Sequence, residues 1–388
     1  MKLIYLDHSA TTPVHPEVLE AMKPYFSDRF GNASSLHQAG RIARDAVESA
    51  RQKIADYLKC EPKEVIFTSG GTESDNLALF GTARANRSKG THIITSKIEH
   101  HAVLNTCNQL EKDGFEITYL PVDKDGIVII DEFKKAIKPQ TILISIMHAN
   151  NETGVVQPIE QIGKIAREHK IIFHTDAVQT MGKLKIELDK LPVDLLSFSG
   201  HKIYGPKGIG GLFIRKGTKI IPTQFGGHHE FKRRAGTENV PGIVGLAKAM
   251  EITHTNLESE NKRLSALRDR LETGLIQKIE DIQVNGSRFK RLPNLLNISF
   301  NYVEGEGIIL NLDSYGICVS SGSACTSESL EPSHVLSAMG LTPEIAHCSV
   351  RFSLGKDNTE SDIDFTMECM VKVIKKLREM SPLYRKKS

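Results

Sequence analysis

The sequence predicts an α/β protein whose large domain is built on a mainly parallel central sheet, with a smaller α+β domain attached. Three observations lead there. Short β-rich runs alternate with helix-like segments from Glu64 to Arg215. A Gly-poor stretch from Pro241 to about Lys278 then carries Leu264, Leu267, Leu271 and Leu275 at helical spacing, and beyond it strand-like and helix-like runs alternate again. At 388 residues the chain also exceeds the size at which one hydrophobic core usually stops growing. The expected division is a large domain over 16–260 and a small one formed by 1–15 with 261–388.

In order, the strands of the large domain are expected at Val65-Ile66-Phe67-Thr68, Ile93-Ile94-Thr95, Ile117-Thr118-Tyr119-Leu120, Ile142-Leu143-Ile144-Ser145-Ile146, Ile171-Ile172-Phe173-His174 and Leu195-Leu196-Ser197-Phe198. Alternation of this kind gives a parallel sheet covered by helices, with ligands at the carboxyl ends of the strands. The stretch from Pro241 to Lys278 reads as one long helix leaving the first domain. In the small domain, strands are expected at Leu295-Leu296-Asn297-Ile298-Ser299-Phe300, Ile317-Cys318-Val319 and Cys348-Ser349-Val350-Arg351-Phe352, with helices near Val335–Met339 and Ile363–Met380.

Composition narrows the function. The 50 basic and 47 acidic residues give a net charge of +3 and are interspersed, which argues against a nucleic-acid groove or a polybasic membrane patch. The six cysteines show no CxxC spacing, and a chain this long does not need disulfides, so free thiols in a reducing, cytoplasmic setting are expected. Cys318 and Cys348, within strand-like runs, are expected to be buried. The apolar stretch Leu3-Ile4-Tyr5-Leu6 is too short for a signal peptide, and no segment approaches the length of a membrane span.

Several residues stand where chemistry is done in such folds. Lys202 follows the run ending in Ser197-Phe198-Ser199-Gly200-His201, and Asp176 closes the run ending in His174-Thr175. An amine and a carboxylate at the ends of two strands suit pyridoxal phosphate, whose aldehyde needs the first and whose ring nitrogen needs the second. Thr68-Ser69-Gly70-Gly71-Thr72-Glu73 leads from strand into helix, where two glycines let backbone amides approach an anion and the Thr72 hydroxyl adds a donor. No Lys follows in the place a Walker loop requires. His100 is a candidate to stack on a planar ring and relay protons, and Gln179 to reach the ring's phenolic oxygen. The adjacent pairs His100-His101 and His228-His229 lack the spacing and further ligands of a zinc site. The run Ser320-Ser321-Gly322-Ser323-Ala324-Cys325-Thr326-Ser327 is of loop composition around one thiol, and Arg351 has the forked guanidinium that grips a carboxylate. Taken singly, each feature also fits a plainer role: a tight turn at Gly70-Gly71, helix capping by Asp176, a solvated Lys202, an ion-paired Arg351.

Together these residues resemble the NifS/IscS-type cysteine desulfurases of the class-V aminotransferase family, in the long-loop group. The likeness is carried by Tyr5-Leu6-Asp7-His8-Ser9-Ala10-Thr11-Thr12-Pro13, Thr68-Ser69-Gly70-Gly71-Thr72-Glu73-Ser74-Asp75-Asn76, Asn150-Asn151-Glu152-Thr153-Gly154, Ser199-Gly200-His201-Lys202-Ile203-Tyr204-Gly205-Pro206-Lys207-Gly208 and Ser321-Gly322-Ser323-Ala324-Cys325-Thr326-Ser327, in that order. The resemblance implies the aspartate-aminotransferase-like fold type I of pyridoxal-phosphate-dependent transferases. It implies that Lys202 carries the cofactor, His100 stacks on it, Asp176 meets the pyridine nitrogen and Gln179 the phenolic oxygen. Gly71, Thr72, Ser199 and His201 would hold the phosphate with Thr237 from the other subunit of a homodimer, while Asn151 and Arg351 would bind substrate. Sulfur from L-cysteine would pass to Cys325 as a persulfide, leaving L-alanine, and then to an iron–sulfur scaffold protein of the IscU/NifU kind or another acceptor. No resident metal is implied, beyond a transient iron–sulfur contact at Cys325. The chain stops soon after Tyr384, short of the extension that members commonly use for scaffold docking.

Overall fold

A computed structural model describes residues 3–321 and 331–384. The sequence run around Cys325 lies outside the described residues. The chain begins with β1 (Ile4–Tyr5), α1 (Pro16–Met22), α2 (Pro24–Ser27) and the long α3 (Gln38–Leu58). It then alternates through β2 (Val65–Thr68), α4 (Gly71–Asn86), β3 (His92–Ser96), α5 (His101–Lys112), β4 (Glu116–Leu120), α6 (Ile130–Ala136), β5 (Thr141–Ser145), α7 (Ile159–Glu168), β6 (Ile172–Asp176), β7 (Leu195–Ser199) and β8 (Gly210–Ile214). Two helices follow, α8 (Val240–Thr255) and α9 (Leu257–Lys278). The remainder comprises β9 (Ile282–Val284), β10 (Leu295–Phe300), α10 (Gly305–Asp313), β11 (Ile317–Cys318), α11 (His334–Ala338), α12 (Pro343–His347), β12 (Ser349–Ser353) and α13 (Glu360–Met380).

The central sheet has seven strands in the order β2-β8-β7-β6-β5-β3-β4. Its β4-β3-β5-β6-β7 portion is parallel, and β8 runs antiparallel to both β7 and β2. The parallel strands are buried along their length except for β4 at the edge, so their side chains do not alternate apolar and polar. One apolar body packs α3, α7 and α8 against one face through Val47, Ile54, Ile162, Leu246 and Phe173. Another packs α4 and α5 against the opposite face through Leu77, Leu79, Val103 and Leu110. From β3 the chain steps outward to β4 and then returns past β3 to β5, β6 and β7, so the order reverses between β3 and β5, and a crevice lies beyond the carboxyl ends of these strands.

A third body collects Ile4, Leu6, Leu264, Leu271, Phe300, Val350, Phe352 and Met370 from β1 and the segment after it, α9, β10, β12 and α13. Its sheet is antiparallel, in the order β12-β10-β9, and β1 pairs parallel with β11. Val335, Leu336 and Met339, late in the sequence, pack on the first body instead.

Two local expectations change. The stretch after Pro241 is two helices, because at Asn256 the backbone leaves the helical region (φ −101°, ψ 7°) while its side-chain amide donates to the Ile252 carbonyl and closes α8. Strand β8 (Gly210–Ile214) was not anticipated: its glycines approach neighbouring backbone and rings so closely that a Cβ at Gly210 would stand 2.5 Å from the Phe198 carbonyl oxygen. Cys318 is half-buried, whereas Cys348 is buried.

Candidate active site

The crevice is a cavity of about 310 Å³ at the carboxyl ends of β6 and β7, within the range of small-molecule sites. Gly71, Thr72, His100, Asn151, Asp176, Gln179, Ser199, His201, Lys202 and Arg351 all line it. Residues from β6, β7, α4, α5 and β12 thus converge although they are scattered over the sequence. Thr237 is exposed and is not part of its wall.

Each group is set by its element. Asp176 ends β6, and its Oδ1 accepts from the Val178 amide at 2.8 Å, so the carboxylate caps the turn that follows. Burial raises its proton affinity, as it does for Asp75 on α4, which is fully buried and raised further by Asp176 itself. Asp75 Oδ1 has no hydrogen-bond partner among the described residues. Two buried carboxylates that repel each other need a proton donor or a cation beside them, and a protonated pyridine nitrogen is such a partner.

Lys202 follows β7 in a 3-10 turn (Gly200–Lys202), and its Nζ donates to the carbonyls of Ser9 at 2.5 Å and Ala10 at 2.7 Å. Gln179 Nε2 donates to the same Ser9 carbonyl at 3.0 Å, and its Oε1 is buried without a partner among the described residues. His100 caps α5: its Nδ1 accepts from the Ala102 amide at 3.1 Å, which leaves the Nε2 position to carry the proton of the neutral ring. Burial, then the nearby Lys202 charge, holds His100 down to about 4, so the ring is neutral at pH 7. Burial and Lys202 likewise bring His201 to about 4, and its Nδ1 shares a proton with the Thr11 hydroxyl at 3.1 Å.

At the other end, Gly71 opens α4, a sixteen-residue helix whose first two residues line the cavity together with Ser199 and His201, the end of a helix that suits an anion. A Cβ at Gly71 would come within 2.7 Å of Val178 Cγ2, so only glycine leaves this wall open. Above the cavity Arg351 Nη1 donates to the Asn151 carbonyl at 2.9 Å and Nη2 to Asp7 at 2.8 Å.

An amine, a buried acid pair, a planar neutral imidazole and an anion cup at a helix amino terminus form one connected wall. The donor set fits pyridoxal phosphate. Five contributors escaped sequence reasoning: Asp75, the carbonyls of Ser9 and Ala10, His101 and His334, the last two packed ring to ring at 4.8 Å on the cavity wall. Ser9 and Ala10 belong to a recognisable stretch, but backbone carbonyls leave no mark in a sequence.

The chain belongs to the class-V aminotransferase family, whose model matches residues 4–365. It is 56% identical over 379 residues to a cysteine desulfurase IscS of Dictyoglomus turgidum, covering 98% of this chain and 96% of that one. A solved NifS-like protein superposes with a TM-score of 0.92 at 40% identity, covering 97% of this chain and 100% of the other. A solved structure of SspA in complex with cysteine gives a TM-score of 0.81 at 42% identity over 90% of this chain and 98% of that one. Within its family the chain is a cysteine desulfurase of the NifS/IscS type, a pyridoxal-phosphate-dependent sulfurtransferase of fold type I.

Proposed function

We propose that the 310 Å³ cavity is where this desulfurase binds its cofactor and L-cysteine, with each lining residue in a definite role. The observation that carries the reading is the convergence of Lys202, the buried Asp75–Asp176 pair and the amino terminus of α4 on one wall. Lys202 would hold the cofactor, Asp176 would pair with the ring nitrogen, supported by Asp75, Gln179 would donate its second amide proton to the phenolic oxygen, and His100 would stack on the ring. Gly71, Thr72, Ser199 and His201 bind the phosphate, completed by Thr237 of a second copy in a homodimer, which accounts for its exposure on a single chain. Arg351 and Asn151 bind the substrate carboxylate.

When bound, pyridoxal phosphate supplies an electron sink for the substrate's α-carbon. Lys202, as a neutral amine, would take the α-proton. His100, neutral with its proton at Nε2, is a proton donor within the cavity. The Cys325 thiolate attacks the substrate sulfur; the sulfur–sulfur bond forms as the substrate's carbon–sulfur bond breaks, and alanine leaves after protonation. The persulfide then passes to an acceptor, an iron–sulfur scaffold protein or another sulfur-accepting partner, in the cytoplasm. The chain divides functionally into 16–260, which holds the cofactor, and 1–15 with 261–388, which brings Arg351 and Cys325. Among the described residues no helix is long and apolar enough to cross a membrane.

The test is a pair of variants. Cys325→Ala should keep the visible absorbance of the bound cofactor and lose sulfide release, and Lys202→Ala should lose the normal band as well. Full sulfide release by Cys325→Ala would remove Cys325 from the mechanism, and an unchanged band in Lys202→Ala would remove Lys202.

A further inference from the structure

The guanidinium of Arg351 is almost wholly enclosed, with a side-chain exposure of 3%, and a cation buried to that degree needs a partner. Its partner is Asp7, whose Oδ1 accepts from Nη2 at 2.8 Å, while the Asn151 carbonyl accepts from Nη1 at 2.9 Å. Nε is buried with no hydrogen-bond partner among the described residues. Two fixed acceptors therefore lock the plane of the fork and leave Nε–H and the second N–H of each Nη outside these two bonds, on a residue that lines the cavity.

Asp7 is itself fixed by the fold. It forms a parallel bridge with Ser353, two residues beyond Arg351 on β12, and the Ser9 amide donates to the Ser353 hydroxyl at 2.8 Å. Two and three residues after Asp7, the Ser9 and Ala10 carbonyls hold the Lys202 amine. One short strap thus touches both the guanidinium and the amine. An amino acid carries its carboxylate and its amino nitrogen on a single carbon, so an enzyme acting on it must hold the two receiving groups at a matching separation.

We propose that Asp7 is a positioning residue for substrate recognition: its carboxylate holds the Arg351 fork so that an α-carboxylate is received at a fixed distance from Lys202. This rests on the reading of Arg351 as the carboxylate site. The Asp7 charge has two opposed effects. It orients the guanidinium, and it repels the incoming carboxylate. Asp7→Asn keeps the accepting oxygen and drops the charge, so it preserves orientation and relieves repulsion. Asp7→Ala drops both, admits water and frees the fork to turn.

The experiment compares L-serine, which has the amino acid framework without the reactive thiol, with ethanolamine, which lacks the carboxylate. Dissociation constants for both are measured by titration calorimetry on the cofactor-loaded protein, with KM and kcat for L-cysteine alongside. Asp7→Ala is expected to weaken L-serine about tenfold, leave ethanolamine within about twofold, and raise KM far more than it lowers kcat. Asp7→Asn is expected to bind L-serine at least as tightly as the parent. Equal weakening of both ligands, similar losses in Asn and Ala, or an unchanged L-serine to ethanolamine ratio in Asp7→Ala overturns the proposal. Arg351→Gln separates the two layers: if it also keeps the parent ratio, the carboxylate site itself is misassigned, whereas if it abolishes the ratio while Asp7→Ala keeps it, only the role of Asp7 falls. If Asp7→Ala does not fold, Asp7→Asn decides, since a loss of L-serine affinity there contradicts the proposal.

Discussion

Replacing Gly71 by Ala tests the phosphate cup with a single methyl group. The added Cβ would lie 2.7 Å from Val178 Cγ2 and 3.8 Å from Ser199 Cβ, so Val178 must yield by close to 1 Å to restore ordinary contact. The backbone at Gly71 is helical, so the cost is one of space rather than of φ. In the absence of cofactor Val178 can move into the cavity it lines, and the fold loses little. With cofactor bound that space is taken, and the overlap costs about 1–3 kcal/mol, as extra methylenes in a packed site do. At 1.4 kcal/mol per tenfold, affinity for pyridoxal phosphate should fall roughly 5- to 150-fold. Titration of apoprotein, followed by cofactor absorbance, measures this, with the melting temperature of the apoprotein as control. The double variant Gly71→Ala with Val178→Ala removes the colliding methyl and should recover most of the lost affinity. Unchanged affinity in Gly71→Ala, or no recovery in the double variant, would refute the assignment of this wall to the cofactor.

Two further perturbations probe the frame around the site. Burial pushes Glu99 up to about 8, against hydrogen bonds from Ser96 and the Met147 amide that favour its anion, so it holds a proton at neutral pH. The folded state then binds one proton more than the unfolded state between the ordinary carboxylate range and about pH 8, and stability falls as pH rises through that window. Glu99→Gln should remove this dependence, melting near the parent at pH 5 and increasingly above it towards pH 9; a constant difference across the range would contradict a protonated Glu99. Arg51 and Glu230 form a two-pronged pair at 2.8 Å, each with a side-chain exposure of 3%, and both also hold the backbone of β2 ahead of the phosphate cup. Glu230→Gln leaves the guanidinium buried without its counter-ion and should cost about 3–5 kcal/mol in denaturant unfolding, whereas a loss below 1 kcal/mol would show that water relieves the site.

How much of this was legible beforehand depends on what kind of signal each part leaves. The strands of the parallel sheet announce themselves as apolar runs because they are buried on both faces, and Asp176 and Lys202 are conspicuous because polar groups end two of those runs. Strand β8 left a weaker trace: two glycines open it, and glycine is there because Phe198 packs against Gly211 where a side chain would stand. The break at Asn256 was hidden for a similar reason, since Asn is tolerated within helices and its capping bond to Ile252 is visible only in three dimensions.

By itself the sequence determined the local elements and the chemical types in the site: the amine of Lys202, the acid of Asp176, the glycines before α4 and the guanidinium of Arg351. Those follow from residue identity and short-range periodicity, which the chain carries wherever it folds. Only the tertiary structure decided which groups meet. Asp7 reaches Arg351 across 344 residues of chain, the Ser9 and Ala10 carbonyls reach Lys202 across more than 190, and Asp75 is brought near enough to feel the charge of Asp176. Such pairings depend on strand order and on backbone carbonyls that every residue possesses, so the chemistry was written in the side chains while its geometry came from the folded backbone.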